Sequence, residues 1–331
     1  MQIPMLLYAV LALSSRHQSI LAKHTEHEAS FYHGQCLRLV IEALSLEVPF
    51  DEALLATVVL LRVHEELDTS TDGQLQLRAI GRLLTAIPTF AHSGGLAEAA
   101  CWQSLRQDIF IALINQSPPS LQLEDYEYSE AFRFRDEAAC ANVIVLLFAK
   151  LLRTVFDSDH DQTRNATHLS TLDADVERWH ERTKRLFRPI FTKEVDFAKY
   201  IYFTILCMLN APQMVAMQHY YACKMLIKLH ETAAQQSFGF HGTKRRRAVE
   251  RYAIGCLEKI VGIALSNRHV EHPKFMAHHM LLRYGYLISH PTQREIVLHL
   301  LRVLDKEMGW STAHTATVLQ TQWSDLDQPT S

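Results

Sequence analysis

Residues that turn or break a chain are scarce in this sequence. It contains 11 glycines and 10 prolines among 331 residues, whereas the usual shares are about 7% and 5%. Folds rich in β-sheet need many tight turns, which draw heavily on these two residue types. The scarcity therefore favours long helices with few connections, and hardly any stretch shows the alternating pattern of a strand.

Apolar residues recur at helical spacing along most of the chain. One set follows the i, i+3, i+4, i+7 template: Leu37, Val40, Ile41 and Leu44. Asp51 stands where a helix N-cap is expected, and Thr292 with Glu295 fits a capping box. We predict an all-α fold, with a single large domain of about ten to twelve helices that spans residues 1–331.

Two polar segments interrupt the helical pattern, and we predict flexible loops near residues 117–131 and 157–172. In the first, acids interleave with aromatics in the run Leu-Glu-Asp-Tyr-Glu-Tyr at 123–128. That composition is typical of segments that dock on coactivators. An ordinary polar surface loop is the alternative.

The segment around Trp102 predicts a buried helix face. Trp102, Leu105 and Ile109 are spaced i, i+3, i+7, and Arg106 and Asp108 would lie on the flanking faces. Core packing is the main interpretation. The alternative is that this helix lines an effector pocket between helix layers.

The charge balance does not favour binding to DNA. Lys and Arg number 33 against 36 Asp and Glu, which gives a net charge of −3. The one concentrated basic run is Lys244, Arg245, Arg246 and Arg247. It fits either a nuclear localisation signal or an exposed first turn of a helix.

Metal and catalytic motifs are weak. The six cysteines include no C-x-x-C pair, and the set His24, His27, His33 and Cys36 does not share one helix face. The acidic run at 157–161 resembles a calcium loop, but Gln162 and His168 stand where glycine and glutamate are required. We therefore predict no enzyme, no metal and no cofactor. Two alternatives stay open: an all-helical metal-dependent enzyme that uses 157–161, and a helical scaffold protein.

The first residues predict neither a membrane span nor a signal peptide. Met5–Leu13 is a nine-residue apolar run with no positive charge before it. A span needs roughly 18 to 20 apolar residues. We expect no membrane partner.

Several stretches resemble the regulatory domain of fungal zinc binuclear-cluster transcription factors. The most diagnostic is Trp-Gln-Ser-Leu-Arg-Gln-Asp-Ile at 102–109, which resembles the family's "W-x-x-L-R-Q-D-I" helix. Residues 6–17, 32–39 and 53–67 resemble its first helices. His-Pro-Thr-Gln-Arg-Glu at 290–295 and Gly-Trp-Ser-Thr at 309–312, with Trp323, resemble its closing helices. The similarity covers essentially the whole chain in the expected order.

The resemblance implies a nuclear, non-enzymatic regulator of transcription. Its partners would be the transcription machinery or coregulators, and a homodimer fits the same interpretation. The family's DNA-binding module is a six-cysteine zinc cluster with paired C-x-x-C spacing, which these 331 residues lack. Zinc would belong to that module, so we expect no direct DNA binding by this chain.

Overall fold

A computed structural model describes residues 4–22, 27–45, 50–67, 88–133, 136–157, 162–233 and 239–328. These residues form eleven α-helices and one pair of short strands, which confirms the predicted all-α class. The helices are α1 (Pro4–Ala22), α2 (His27–Ser45), α3 (Glu52–Glu66), α4 (Gly95–Asn115), α5 (Glu137–Phe156), α6 (Gln162–Thr183), α7 (Ala211–Ala233), α8 (Phe240–Ser266), α9 (His272–Tyr284), α10 (Pro291–Met308) and α11 (Ala313–Asp327). The strands are β1 (Phe191–Lys193) and β2 (Ile205–Cys207).

The chain divides into two compact units, each assembled from separate stretches of sequence. The first contains residues 1–108, 120–133 and 302–312, and the second contains 109–119, 134–301 and 313–331. The prediction of one domain over residues 1–331 stays a prediction.

Helix α3 is the buried helix of the first unit. All but one of the residues from Ala53 to Arg62 are buried, as expected of a helix that is apolar on every side. Its N-terminus is closed as predicted, because the Asp51 carboxylate accepts a hydrogen bond from the Leu54 N–H at 2.8 Å. Helix α1 packs against both α2 and α3.

Part of the predicted inward face of α2 is exposed. Val40 is buried, but Ile41 is 62% exposed and Leu44 is 46% exposed. Helix α2 packs mainly on α1, so only one narrow side of its apolar stripe is covered.

Helix α7 is the centre of the second unit, where it contacts α5, α6, α8 and α9. Helix α5 is long and apolar enough to cross a membrane by length and composition, and half of it is buried inside the protein. Its contacts with α6 and α7 are those of a core helix.

The antiparallel pair β1–β2 was not predicted from the sequence. Strand β2 lies against α8, where Gly262 leaves no room for a Cβ atom beside the Thr204 carbonyl. The Asn267 side chain accepts from the Met208 N–H at 3.0 Å and donates to the Leu206 carbonyl at 2.8 Å. An asparagine thereby takes the place of a neighbouring strand along the outer edge of β2.

Parts of the two segments that were predicted to be flexible loops are helical. Within 117–131, residues Leu123–Tyr128 form a 3₁₀ turn whose Leu123 and Tyr126 are buried. Within 157–172, helix α6 already begins at Gln162. Its first turns are polar and lack an apolar stripe, so the sequence did not indicate a helix there. Residues 158–161 of the acidic run lie outside the described residues.

The predicted capping box is wrong. Helix α10 begins at Pro291, so Thr292 lies inside its first turn. The Thr292 N–H instead donates to the Nδ1 atom of His290 at 3.2 Å. Proline at the first helical position has no N–H to cap, which fits this arrangement.

Candidate functional site

The predicted burial of the Trp102 face is confirmed. Trp102 is 4% exposed, and Leu105 and Ile109 are completely buried. The indole ring of Trp102 makes edge contacts with Tyr126 at 5.2 Å and with Phe132 at 5.8 Å between ring centroids. The side chain therefore fixes the segment 123–133 to helix α4.

A buried carboxylate, Glu98, supports this contact one helical turn earlier. One of its oxygens accepts from Trp102 Nε1 at 3.3 Å, the Ala131 N–H at 3.1 Å and the Ser129 hydroxyl. The other accepts from the Gly94 N–H at 2.8 Å. Burial alone would raise the pKa of Glu98, but these hydrogen bonds lower it below its ordinary value.

The acidic and aromatic run at 123–128 is therefore part of the fold. The Tyr126 hydroxyl donates to the Cys101 carbonyl at 3.0 Å, and burial raises the pKa of Tyr126 well above its ordinary value. Tyr128, in contrast, is 75% exposed. The run presents acids and one tyrosine to solvent while its apolar side chains face inward.

Asp108 attaches the start of the same segment, although the sequence placed it on a flanking face. It is buried, and it accepts from the Ser120 hydroxyl at 2.9 Å and from the Leu121 N–H at 3.0 Å. Burial raises the pKa of Asp108, against the opposing effects of these hydrogen bonds and of Arg62. Removing residues 121–130 would thus disrupt buried contacts.

The basic run Lys244–Arg247 lies in the second turn of α8, because the helix begins at Phe240 and not at the run itself, as the interpretation of a first turn expected. All four side chains are exposed, and so is Ala248. Four consecutive helical residues point around the whole circumference, so this part of α8 is covered on no side. Positive charge opposes a helix dipole mainly within the first turn, so the dipole has little effect on these four residues.

The described residues hold no group of three or more His, Cys, Asp or Glu side chains placed to bind a metal ion. Of the four residues in the sequence pattern, His24 lies outside the described residues. His33 stacks on His64 of α3, with ring centroids 4.6 Å apart. Burial raises the pKa of the Cys36 thiol to about 11, so it stays protonated at neutral pH.

Comparison with known proteins identifies the family. The model of the "fungal specific transcription factor domain" family matches residues 1–331. The chain belongs to this family. The resemblance read from the sequence is thereby confirmed, and membership of a transcription factor family implies a role in transcription regulation rather than in catalysis.

A distant curated relative of this fungal-specific transcription factor domain is "Transcription activator AMTR1" of Alternaria alternata. It is 24% identical over 360 residues, an alignment that covers 83% of this chain and 44% of the relative. The chain thus spans less than half the length of that protein. No solved structure matches the chain.

Sequence reasoning missed the polar residues that organise the domain. Glu98, Ser129 and Asn267 lie in no recognisable motif, and their roles depend on partners between 27 and 61 residues away. One signal was available, because a glutamate four residues before a helical tryptophan can reach its indole N–H.

Proposed function

We propose that this chain regulates RNA polymerase II transcription in the nucleus through contacts with other proteins, without a DNA-binding zinc cluster of its own. The observation that carries the proposal is the family match along residues 1–331. The net charge of −3 supports protein partners over nucleic acid. The chain then acts neither as an enzyme nor through a cofactor.

The partners that we propose are the transcription machinery or its coregulators, together with self-association into a homodimer. The large exposed apolar side chains support contacts of this kind, because such patches on a folded protein mark interaction sites. They are found on α2, where Phe31 is 58% exposed and Ile41 is 62% exposed, and around the strands, where Ile190 is 69% exposed.

Nuclear entry is assigned to Lys244, Arg245, Arg246 and Arg247. The exposure of all four side chains supports this role, because a transport receptor must reach them. Replacing all four by glutamine should move a fluorescent fusion of the chain from the nucleus to the cytoplasm. Arg302→Gln with Lys306→Gln, two exposed bases of α10, is the control that should leave it nuclear.

Tethering tests the transcriptional role. The chain is fused to an unrelated DNA-binding module and expressed in fungal cells with a reporter placed downstream of that module's site. We expect reporter transcription to change, upward in a format with low basal output or downward in one with high basal output. Silence in both formats, with the fusion present in the nucleus at normal levels, would contradict the proposal.

A further inference from the structure

Four large apolar side chains are exposed where the strand pair meets the preceding and following chain. Leu186 is 36% exposed, Ile190 69%, Phe191 52% and Leu209 66%. We call these four residues the hairpin patch. Large exposed apolar groups that cluster in this way mark interaction sites on folded proteins.

Hydrogen bonds hold the members of the hairpin patch close together. The Gln213 side chain donates to the Leu186 carbonyl at 2.9 Å and accepts from the Leu209 N–H at 3.0 Å, which joins these two residues through one amide group. The Ile190 N–H donates to the Cys207 carbonyl at 2.8 Å, two residues before Leu209. The backbone at these residues is therefore held in place by the fold, while their apolar side chains stay exposed.

The strand pair has one closed edge and one open edge. The Leu206 N–H donates to the Ser266 hydroxyl, and the Leu206 carbonyl accepts from the Asn267 side chain. The outer edge of β2 is therefore hydrogen-bonded to the end of α8. Thr192 lies opposite Leu206 in the register. In an antiparallel pair both members of such a position point their backbone groups away from each other, so the N–H and carbonyl of Thr192 face the open side of β1.

Three basic residues lie next to members of the hairpin patch in the sequence. Arg185, Arg188 and Lys193 are exposed, and within the described part of the chain they have no ion-pair partner. Of the neighbouring acids, Asp196 is paired with Lys199, Glu137 accepts hydrogen bonds from Asn210 and Gln213, and Glu194 is exposed. Three unpaired cations around an apolar surface favour an acidic partner.

We propose that the hairpin patch binds an extended acidic segment of a partner protein, in which acids alternate with apolar residues and which adds a strand to β1. Successive side chains of a strand point to opposite faces, so the apolar side chains of the added segment would lie on the face of Ile190 and its acids on the face of Lys193. The hydrogen bonds to Thr192 would fix the direction of the segment. This inference rests on the proposed function, for which it supplies a contact surface.

A second copy of this chain fits the surface less well than an acidic segment does. Pairing β1 with itself would bring two sets of the same three cations together, which disfavours association. Strand β1 is also only three residues long, and short edge strands that carry lysine are a common protection against self-pairing.

Peptide binding by the purified full chain tests the proposal. The probe is a fluorescein-labelled peptide of about ten residues in which aspartate alternates with leucine and valine, a length that covers one edge strand. The wild type should bind it with an affinity that falls as salt is added. The same peptide with lysine in place of aspartate should bind at least about tenfold more weakly, since its charges repel the three cations.

Three variants locate the peptide. Ile190→Asp should weaken binding about tenfold or more, because it places a charge in the centre of the apolar contact. Arg185→Glu with Arg188→Glu should weaken binding and remove most of its salt dependence. Thr192→Pro should weaken binding with little effect on the hairpin, since only the outward N–H is lost.

Matched controls are available outside the patch. Leu326→Asp replaces a side chain of similar exposure on α11, and Lys306→Glu reverses an exposed charge on α10. Both should bind the peptide as the wild type does. Circular dichroism and melting temperature identify any variant that fails to fold.

Two results would overturn the inference. One is that the wild type does not bind the peptide, or that Ile190→Asp and Thr192→Pro bind it as tightly as the wild type does. The other is a dimer, seen by light scattering, that Ile190→Asp dissociates, since a second copy would then occupy the patch. Failure here is distinct from failure of the proposed function: a tethered Ile190→Asp that keeps full reporter output rejects the docking surface alone, and a silent tethered wild type rejects the transcriptional role.

Discussion

At the level of single residues, Trp102 joins helix α4 to the segment 123–133. Trp102→Ala should lower the free energy of unfolding by about 3–5 kcal/mol, because it leaves a cavity and removes the contacts with Tyr126 and Phe132. Urea unfolding followed by circular dichroism measures this loss. A change near zero in a folded variant would place Trp102 on the surface and favour a binding role.

Glu98 makes stability depend on pH. Its pKa is lower in the folded chain than in the unfolded chain, so the stability that it contributes is fully present above the unfolded pKa and is lost as the pH falls through the folded value. Glu98→Gln should destabilise the chain by about 1–3 kcal/mol at neutral pH, since an amide cannot accept from all these donors. In this variant the free energy of unfolding should also fall less steeply as the pH drops below the pKa that Glu98 has in the unfolded chain.

The control for Glu98→Gln is Glu295→Gln, which changes an exposed carboxylate of α10. It should alter neither the stability at neutral pH nor the shape of the acid transition. Melting temperatures measured between neutral and acidic pH compare the two variants. If the acid transition of Glu98→Gln matches that of the wild type, Glu98 does not cause the pH dependence of stability.

Single residues were predictable where burial follows helical spacing. Trp102, Leu105 and Ile109 were expected inside on their spacing alone, and they are buried. Asp108 was misplaced, because its partners Ser120 and Leu121 come from a segment with no periodic pattern. A polar side chain in a helix is placed by its hydrogen-bond partner, which the spacing does not reveal.

At the level of elements, two glycines of α8 form a natural pair for comparison. A Cβ at Gly262 would overlap the backbone of Thr204, whereas a Cβ at Gly255 would meet nothing within 4 Å. Gly262→Ala should cost about 1–3 kcal/mol because it pushes the strand pair away from α8. Gly255→Ala should stabilise the chain by up to about 1 kcal/mol, since alanine favours helix.

Thermal unfolding of the two alanine variants tests the contact between α8 and the strands. We expect the melting temperature to fall in Gly262→Ala and to hold or rise in Gly255→Ala. Equal behaviour of both variants would mean that the Thr204 backbone does not approach the helix closely.

Helices were predictable and the strand pair was not, because a helix shows its pattern locally in the sequence whereas these strands depend on distant partners. The apolar stripe of a helix such as α4 is local and visible in the sequence. Strands β1 and β2 have three residues each, and β2 is held by Ser266 and Asn267, about 60 residues further along the chain. The first turns of α6 were taken for a loop because they are polar, and a polar helix shows no stripe.

At the level of the whole molecule, the chain should bind duplex DNA no better than a neutral protein does. Its net charge is −3, and its one concentrated basic run has four residues. Non-specific affinity for DNA comes from positioned Lys and Arg on phosphates. A gel shift by the purified chain that survives added salt and depends on sequence would contradict this expectation.

The central claim is that the folded helical domain itself, and not a short acidic segment, acts on transcription. The direct measurement is reporter output from the tethered wild type, from tethered Trp102→Ala and from tethered residues 118–133 alone, at matched nuclear levels. The wild type should change output, Trp102→Ala should lose most of the change because its fold is weakened, and the short segment should do nothing. A short segment that reproduces the full output, or a wild type that is silent in both activating and repressing formats, would contradict the claim.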